Sequence, residues 1–312
     1  VTRAIYLLAV ACAAALAAGC DRGGTSQARG PRVELKLQWT AGTYALSVAT
    51  TASQQIVSGA RRDAVSYWQL LDATAAVRSA RGGHALDIRY DRVRQTMLGA
   101  GPSMTFDSNL PDDAPTQSPT LAPVLRPLVG TTLSLAYDGE GRLQKVTGVS
   151  ALAQRLEDSQ PAALDDASEW RSQVSDQALR DAIDVQWLLP DRMVGPGEPW
   201  KASRKGHLPL LGDVSVQYEC ALLEVDRAGN EPVAVIGVQA TIAAENTTSG
   251  GKTFRAAKGK FSQSGQVRLG LDSRMVHSQK LAQKGAIEAT AADGQPVRLT
   301  LLAWQEIQWT LR

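Results

Sequence analysis

Cysteine, histidine and phenylalanine are scarce in this 312-residue chain, with three of each. Three cysteines cannot build the disulfide framework of a small secreted scaffold. The histidines, His84, His207 and His277, stand far apart. None lies one helical turn from another His, Cys or carboxylate in a helical segment, which removes zinc hydrolase spacing. Charge of one sign is not in excess either: 33 Lys+Arg against 31 Asp+Glu leave a net +2, no electrostatic footprint for nucleic acid. The longest apolar run, Ala4 to Ala18, falls short of the roughly 20 residues a membrane-spanning helix needs. Aromatics make up only 5%, yet seven Trp outnumber three Phe. The remaining composition, 44% hydrophobic and 21% charged, excludes collagen-like, coiled-coil and wholly disordered chains.

Motifs of known chemistry are missing too. Gly101-Pro102-Ser103-Met104-Thr105 lacks the last Gly of a nucleophile elbow. Gly250-Gly251-Lys252-Thr253 carries Asn246 where a phosphate-binding loop needs Gly. No catalytic residue, metal site or cofactor is therefore expected. Two acidic pairs, Asp112-Asp113 and Asp165-Asp166, leave open a hydrolase whose carboxylates meet only in the fold.

What is present begins at the amino terminus. Arg3 precedes the apolar run, which ends in small residues, the layout of a signal peptide over residues 1–19. Ala17-Ala18-Gly19-Cys20, with Leu16 upstream, resembles the lipobox of bacterial lipoproteins. That resemblance implies cleavage between Gly19 and Cys20, lipidation of Cys20, and a membrane partner held through two or three acyl chains. Asp21 resembles the signal that retains a lipoprotein on the inner membrane; the outer membrane is the other address. Residues 20–32 then form the lipidated Cys and a polar, Gly-rich tether. With Cys12 removed and Cys20 lipidated, Cys220 is the single thiol of the folded part. Its place in the alternating run Val214 to Cys220 predicts a buried, inert strand thiol.

From Val33 onward a period of two dominates, beginning with Val33-Glu34-Leu35-Lys36-Leu37-Gln38-Trp39. Further alternating segments follow, including Tyr44–Val57, Val65–Arg78, Ala85–Thr96, Val214–Val225, Val233–Ile242 and Val297–Leu311. Lys258–Gln263 and Gln266–Asp272 read as two strands about a Gln263-Ser264-Gly265 turn, and Arg274–Ala282 and Gly285–Ala291 as two more. Between Ser150 and Leu189 the apolar spacing becomes helical, with Pro161 splitting two helices, Ser175 placed as a cap and Pro190 as a stop. The fold class is α+β, mainly antiparallel β: a curved meandering sheet or half-barrels with inserted helices. A first β-rich half (33–148), a helical insert (149–190) and a second β-rich half (191–312) follow, the halves echoing one another as an architectural repeat. Residues 107–127 carry five prolines and read as an exposed loop.

A lipobox, long meandering strands, helices inserted mid-chain and no catalytic motif together resemble the periplasmic lipoproteins of the LolA, LolB and LppX kind. The resemblance implies an open half-barrel, plugged by helices, that cradles acyl chains. Phe106-Asp107-Ser108, Leu189-Pro190 and Val194 to Trp200 are similar to phrases of an uncharacterised family of exported lipoproteins. Among the tryptophans, Trp68, Trp187 and Trp304 are the candidate ligand-binding residues, as amphipathic rings on sheet and insert that could line an apolar cavity. The expectation is a noncatalytic, membrane-anchored protein of the cell envelope, facing the periplasm, that binds a lipid or other hydrophobic ligand. The alternatives are an accessory subunit of an envelope complex, with a filled core and a flat interface, and a periplasmic hydrolase.

Overall fold

The computed structural model describes residues 30–99, 101–159, 186–208, 212–246, 254–291 and 294–312. The signal peptide, Gly19, Cys20, Asp21 and most of the tether lie outside the described residues, as do Pro161, Ser175, the pair Asp165-Asp166 and Gly250 to Thr253.

Six strands occupy the first half: β1 (Gly42–Ser58), β2 (Arg61–Ala80), β3 (Gly83–Leu98), β4 (Met104–Asp107), β5 (Thr132–Asp138) and β6 (Leu143–Thr147). Six more occupy the second: β7 (Pro199–Leu208), β8 (Gly212–Asp226), β9 (Val233–Asn246), β10 (Phe254–Gly270), β11 (Val276–Ala291) and β12 (Pro296–Leu311). Two helices are described, α1 (Ala122–Leu125) and α2 (Val149–Ser159), with 3-10 turns at Arg126–Leu128 and Gln186–Leu188. The fold is thus mainly antiparallel β with inserted helices.

All twelve strands form one sheet in the order β6-β5-β3-β2-β1-β12-β11-β10-β9-β8-β7, with β4 also on β3. The two β-rich halves meet in an antiparallel pair, β1 with β12, running from Tyr44 opposite Leu311 to Ser58 opposite Val297. The order ends on β6 and β7, so the sheet is open. The chain runs from the centre to the β6 edge, crosses to the β7 edge, and returns to the centre, so both halves traverse the sheet in the same sense.

Alternation sets the inner face. In β1 the even residues Tyr44, Leu46, Thr50, Ala52 and Ile56 are buried; in β2 the odd residues Val65, Tyr67, Ala73, Ala75 and Val77 are. One contiguous apolar cluster spreads over this face from Val146 of β6 to Trp200 of β7. Two departures from the expected strands have physical causes. Val33–Trp39 is not a strand: only Val33 bridges, to Val194, and the segment crosses the turn end of the sheet. Its alternation is nevertheless real, since Leu35, Leu37 and Trp39 are buried, with Trp39 tilted against Tyr137 of β5 at 5.7 Å and Trp309 of β12 at 5.0 Å. Each such aliphatic side chain stabilises the fold by about 1.5–3 kcal/mol. Its backbone is satisfied elsewhere: the Gln38 N–H donates to the Arg274 carbonyl at 2.8 Å and the Leu37 N–H to Gln186 Oε1 at 3.3 Å.

The second departure concerns Gly265 and Gly285, which do not end strands. They lie inside continuous β10 and β11, on the inner side, opposite Leu281 and Leu301. A Cβ on Gly265 would overlap the Lys280 carbonyl oxygen, and one on Gly285 the Phe261 ring. The backbones approach there more closely than any side chain permits, and the twelve-stranded sheet itself is open and uncurled. Strands β4 and β7 were not legible. β4 has four residues, and β7 opens on Pro199 at the sheet edge, with Trp200 and Ala202 alternating inward among its described side chains.

Candidate functional site

Strand register assembles a feature that no single segment displays. On the inner face, Gln95 of β3, Gln69 of β2, Thr50 of β1 and Gln305 of β12 stand in one row across the sheet. In the next row Ala52, Ala303, Gln283 and Gln263 follow one another from β1 to β10. Gln54 lies one row further along β1. Thr50, Gln54, Gln69, Gln95, Gln263 and Gln283 are all buried, each at most 4% exposed. Apolar residues flank this belt towards both strand ends, with Leu46, Ala73 and Ile88 on one side and Ile56, Leu299 and Ile287 on the other.

Buried amides are expected to be paired. Gln69 Nε2 donates to Gln95 Oε1 at 2.7 Å. Gln263 is different: 2% exposed, its amide meets no partner in strict hydrogen-bond geometry, and the Tyr218 phenol, two strands away in the same row, is the group that interacts with it. Burial pushes the Tyr218 phenol up to about 12, with the Arg204 charge and Gln263 opposing. The belt therefore ends in a phenol that stays protonated at any ordinary pH and an amide with spare donors and an acceptor. Such a pair can receive a carbonyl, a hydroxyl or a carboxylate from a bound molecule.

The three candidate tryptophans do not converge. Trp187, in its 3-10 turn, packs on Tyr218 with ring centroids 4.7 Å apart, beneath the Arg204 guanidinium at 5.3 Å. It therefore sits beside the inner belt. Trp68 and Trp304 stand on the outer face, on either side of Thr51 in one row. Trp304 is 46% exposed and walls a trough of about 450 Å³ that includes Ala49, Thr51, Ser264 and Ala282. The expected shared cavity is corrected to two sites on opposite faces, because Trp68 and Trp304 have the outward parity of their strands.

Other chemistry-bearing groups are accounted for locally. Cys220 is a free thiol, buried as expected, and burial pushes it up to about 12. Asp112 pairs with Arg126 and so fixes the proline-rich loop. Sequence reading missed one cluster: Glu231 Oε1 lies 2.7 Å from His277 Nε2, and Ser273 Oγ 3.4 Å from the same nitrogen. A serine triad needs the hydroxyl and the carboxylate on opposite ring nitrogens, so this grouping lacks triad geometry. Glu231 Oε2 also accepts the N–H groups of Asp272 and Ser273, at 3.1 and 2.8 Å. Burial works to raise the Glu231 carboxyl, but these bonds and the His277 charge hold it below the ordinary range. It caps the β10–β11 turn. Among the described residues no three His, Cys, Asp or Glu side chains gather as a metal site, and no helix is long and apolar enough to cross a membrane.

The sequence matches no family model and no curated protein. Among solved structures, the chain is similar to one titled for lipid–protein interactions in lipovitellin, at a TM-score of 0.45 and 8% identity. That match covers 87% of this chain and 25% of the lipovitellin chain, so this protein spans a quarter of its length. It is also similar to the β domain of the Bordetella autotransporter Brka, at a TM-score of 0.26 and 10% identity, over 87% of this chain and 99% of that one. A DUF1329 family protein from Desulfovibrio piger gives 0.15 and 9% identity, over 87% and 85%. At these scores the likenesses carry no argument about what this chain binds.

Proposed function

We propose that this protein is a noncatalytic lipoprotein of the cell envelope, tethered to the membrane through Cys20 and facing the periplasm. Asp21 favours the inner membrane. Its sheet holds a lipid or other hydrophobic molecule along the inner face, with the molecule's polar group against the glutamine belt. The observation that carries this reading is Gln263: a buried amide that meets no partner in strict hydrogen-bond geometry, with the Tyr218 phenol near it, set in a polar belt between two apolar zones. A face built for stability alone has no use for it, since each buried unpaired polar atom costs about 1–3 kcal/mol. A bound molecule with apolar arms and one hydrogen-bonding group would satisfy all three zones at once.

Two measurements test the reading. The purified chain is titrated with a dansyl-labelled fatty acid; a saturable, blue-shifted fluorescence rise that weakens in Gln263→Leu is expected. No saturable uptake, together with no co-purifying small molecule in native mass spectrometry, overturns the ligand. For the tether, Cys20→Ala is expected to lose palmitate labelling and to leave the lipidated membrane pool; continued labelling overturns the anchor. The accessory-subunit reading is favoured by a different observation, the edge strand β7, which pairs only with β8 among the described strands.

A further inference from the structure

The outer face carries a second site of different chemistry. Where β1, β12, β11 and β10 lie side by side, Thr51, Trp304, Ala282 and Ser264 stand in register. Small side chains form a shallow floor, and the Trp304 ring rises from it, 46% exposed. The next row supplies the rim: Lys280 Nζ lies 2.9 Å from Glu306 Oε1, and Gln308 Nε2 donates to the same carboxylate oxygen at 2.7 Å. The trough is about 450 Å³ and open to solvent along its length.

We propose that this trough binds a neutral glycan chain. A pyranose ring has one apolar C–H face, which stacks on an exposed indole, and a periphery of hydroxyls that both donate and accept. Trp304 offers the platform, and the Lys280–Glu306 pair offers a donor and an acceptor side by side. The rim carries one charge of each sign, so it selects against ionic ligands of either sign. An acyl chain is a poor occupant, because it gains its free energy from enclosure by apolar walls and this trough has an ionic rim and no roof. A second aromatic extends the platform. Trp68 stands two strands from Trp304 with only Thr51 between, a separation of roughly 10 Å from the inter-strand spacing. That is close to the span of two linked pyranose units in an extended chain. The Arg94 guanidinium lies over the Trp68 ring, 5.2 Å from its centroid, so one face of that indole is taken and Trp304 is the main platform.

The site is independent of the inner belt, so its test is too. The full chain is titrated calorimetrically with the β-1,4-linked hexasaccharides of glucose and of N-acetylglucosamine. Saturable binding of at least one, in the millimolar range or tighter, is expected. Trp304→Ala should weaken it about tenfold, the order of losing one aromatic platform, while Trp304→Tyr retains most of it. The melting temperature should move little in Trp304→Tyr, and less in Trp304→Ala than for a core tryptophan, since Trp304 is 46% exposed. Gln263→Leu should leave glycan binding unchanged, which separates failure of this proposal from failure of the lipid reading. The proposal is overturned if neither hexasaccharide binds, if binding survives Trp304→Ala, or if Trp304→Ala instead abolishes binding to phosphatidylglycerol vesicles or to a peptide.

Discussion

Replacing Gln263 by Leu should stabilise this protein and weaken its hold on ligand. The amide nitrogen and oxygen of Gln263 are both buried, neither meets a partner in strict hydrogen-bond geometry, and the Tyr218 phenol is the group that interacts with the amide. Leaving two such atoms dry costs about 1–3 kcal/mol each, while Leu conserves most of the volume and adds the transfer free energy of an apolar group. Imperfect packing of the branched side chain against Tyr218 and Gln283 takes back part of the gain. A net stabilisation of about 1–3 kcal/mol is expected, which for a domain of this size raises the melting temperature by roughly 2–4 °C per kcal/mol. The contrast is Gln69, whose amide is paired to Gln95 at 2.7 Å. Gln69→Leu leaves Gln95 Oε1 unpaired and should cost about 1–3 kcal/mol, and the double change Gln69→Leu, Gln95→Leu should recover most of that. Urea unfolding followed by circular dichroism, on ligand-free protein, measures all three variants against the parent chain. If Gln263→Leu destabilises by more than about 1 kcal/mol and leaves dansyl fatty acid uptake untouched, Gln263 is a structural residue and the ligand argument fails.

Glycine sites sort by what surrounds them. Gly265→Ala drives a Cβ into the Lys280 backbone carbonyl and should cost more than about 3 kcal/mol, whereas Gly237→Ala meets only the movable Leu223 side chain at 3.0 Å and should cost about 1 kcal/mol or less, read by the same unfolding curves. Acid should weaken the β3–β4 junction. The hydrogen bond from Arg92 holds the Asp107 carboxyl below the ordinary range, against the opposing effect of burial. Its contribution is present above the unfolded value near 4 and is lost as pH falls through the folded value, and Asp107→Asn should flatten that part of the stability curve. Alkali acts in the opposite direction. Tyr218 and Cys220 are both pushed up to about 12, so the unfolded chain releases their protons first and stability should fall as pH rises from about 9 to 12, less steeply in Tyr218→Phe. For the same reason Cys220 should resist Ellman's reagent at pH 8 in the native state and react only on unfolding.

Fold class was legible because strand parity is a local property. Tyr44 to Val57 states its inner face in its own letters, and so do Val65 to Arg78 and Val214 to Val225. Glycine misled where the same residue serves two purposes. Gly82 turns the β2–β3 hairpin with φ at 81°, whereas Gly265 lies inside a continuous strand where the neighbouring backbone comes too close for a Cβ, and the local sequence is turn-like around both. Val33 to Trp39 alternates as a strand does, but a segment laid across a sheet end also presents every second side chain to the core. The tryptophans were visible as candidates; their division between two faces was not, because it depends on parity relative to partners far away in sequence.

The glutamine belt shows where reading by segments stops. Each strand, taken alone, carries one inward polar residue among apolar ones, which reads as a blemish: Gln69 in β2, Gln95 in β3, Gln283 in β11 and Gln263 in β10. Only the register converts these into adjacent rows. The conversion is fragile, since a slip of one residue in any pairing sends that strand's glutamine to the outer face together with its whole apolar set. The β10–β11 pairing that places Gln263 beside Gln283 is also the pairing whose close approach requires Gly265 and Gly285. Each of these glycines lies two residues from one of the glutamines, so this close backbone approach and the belt share one strand pair.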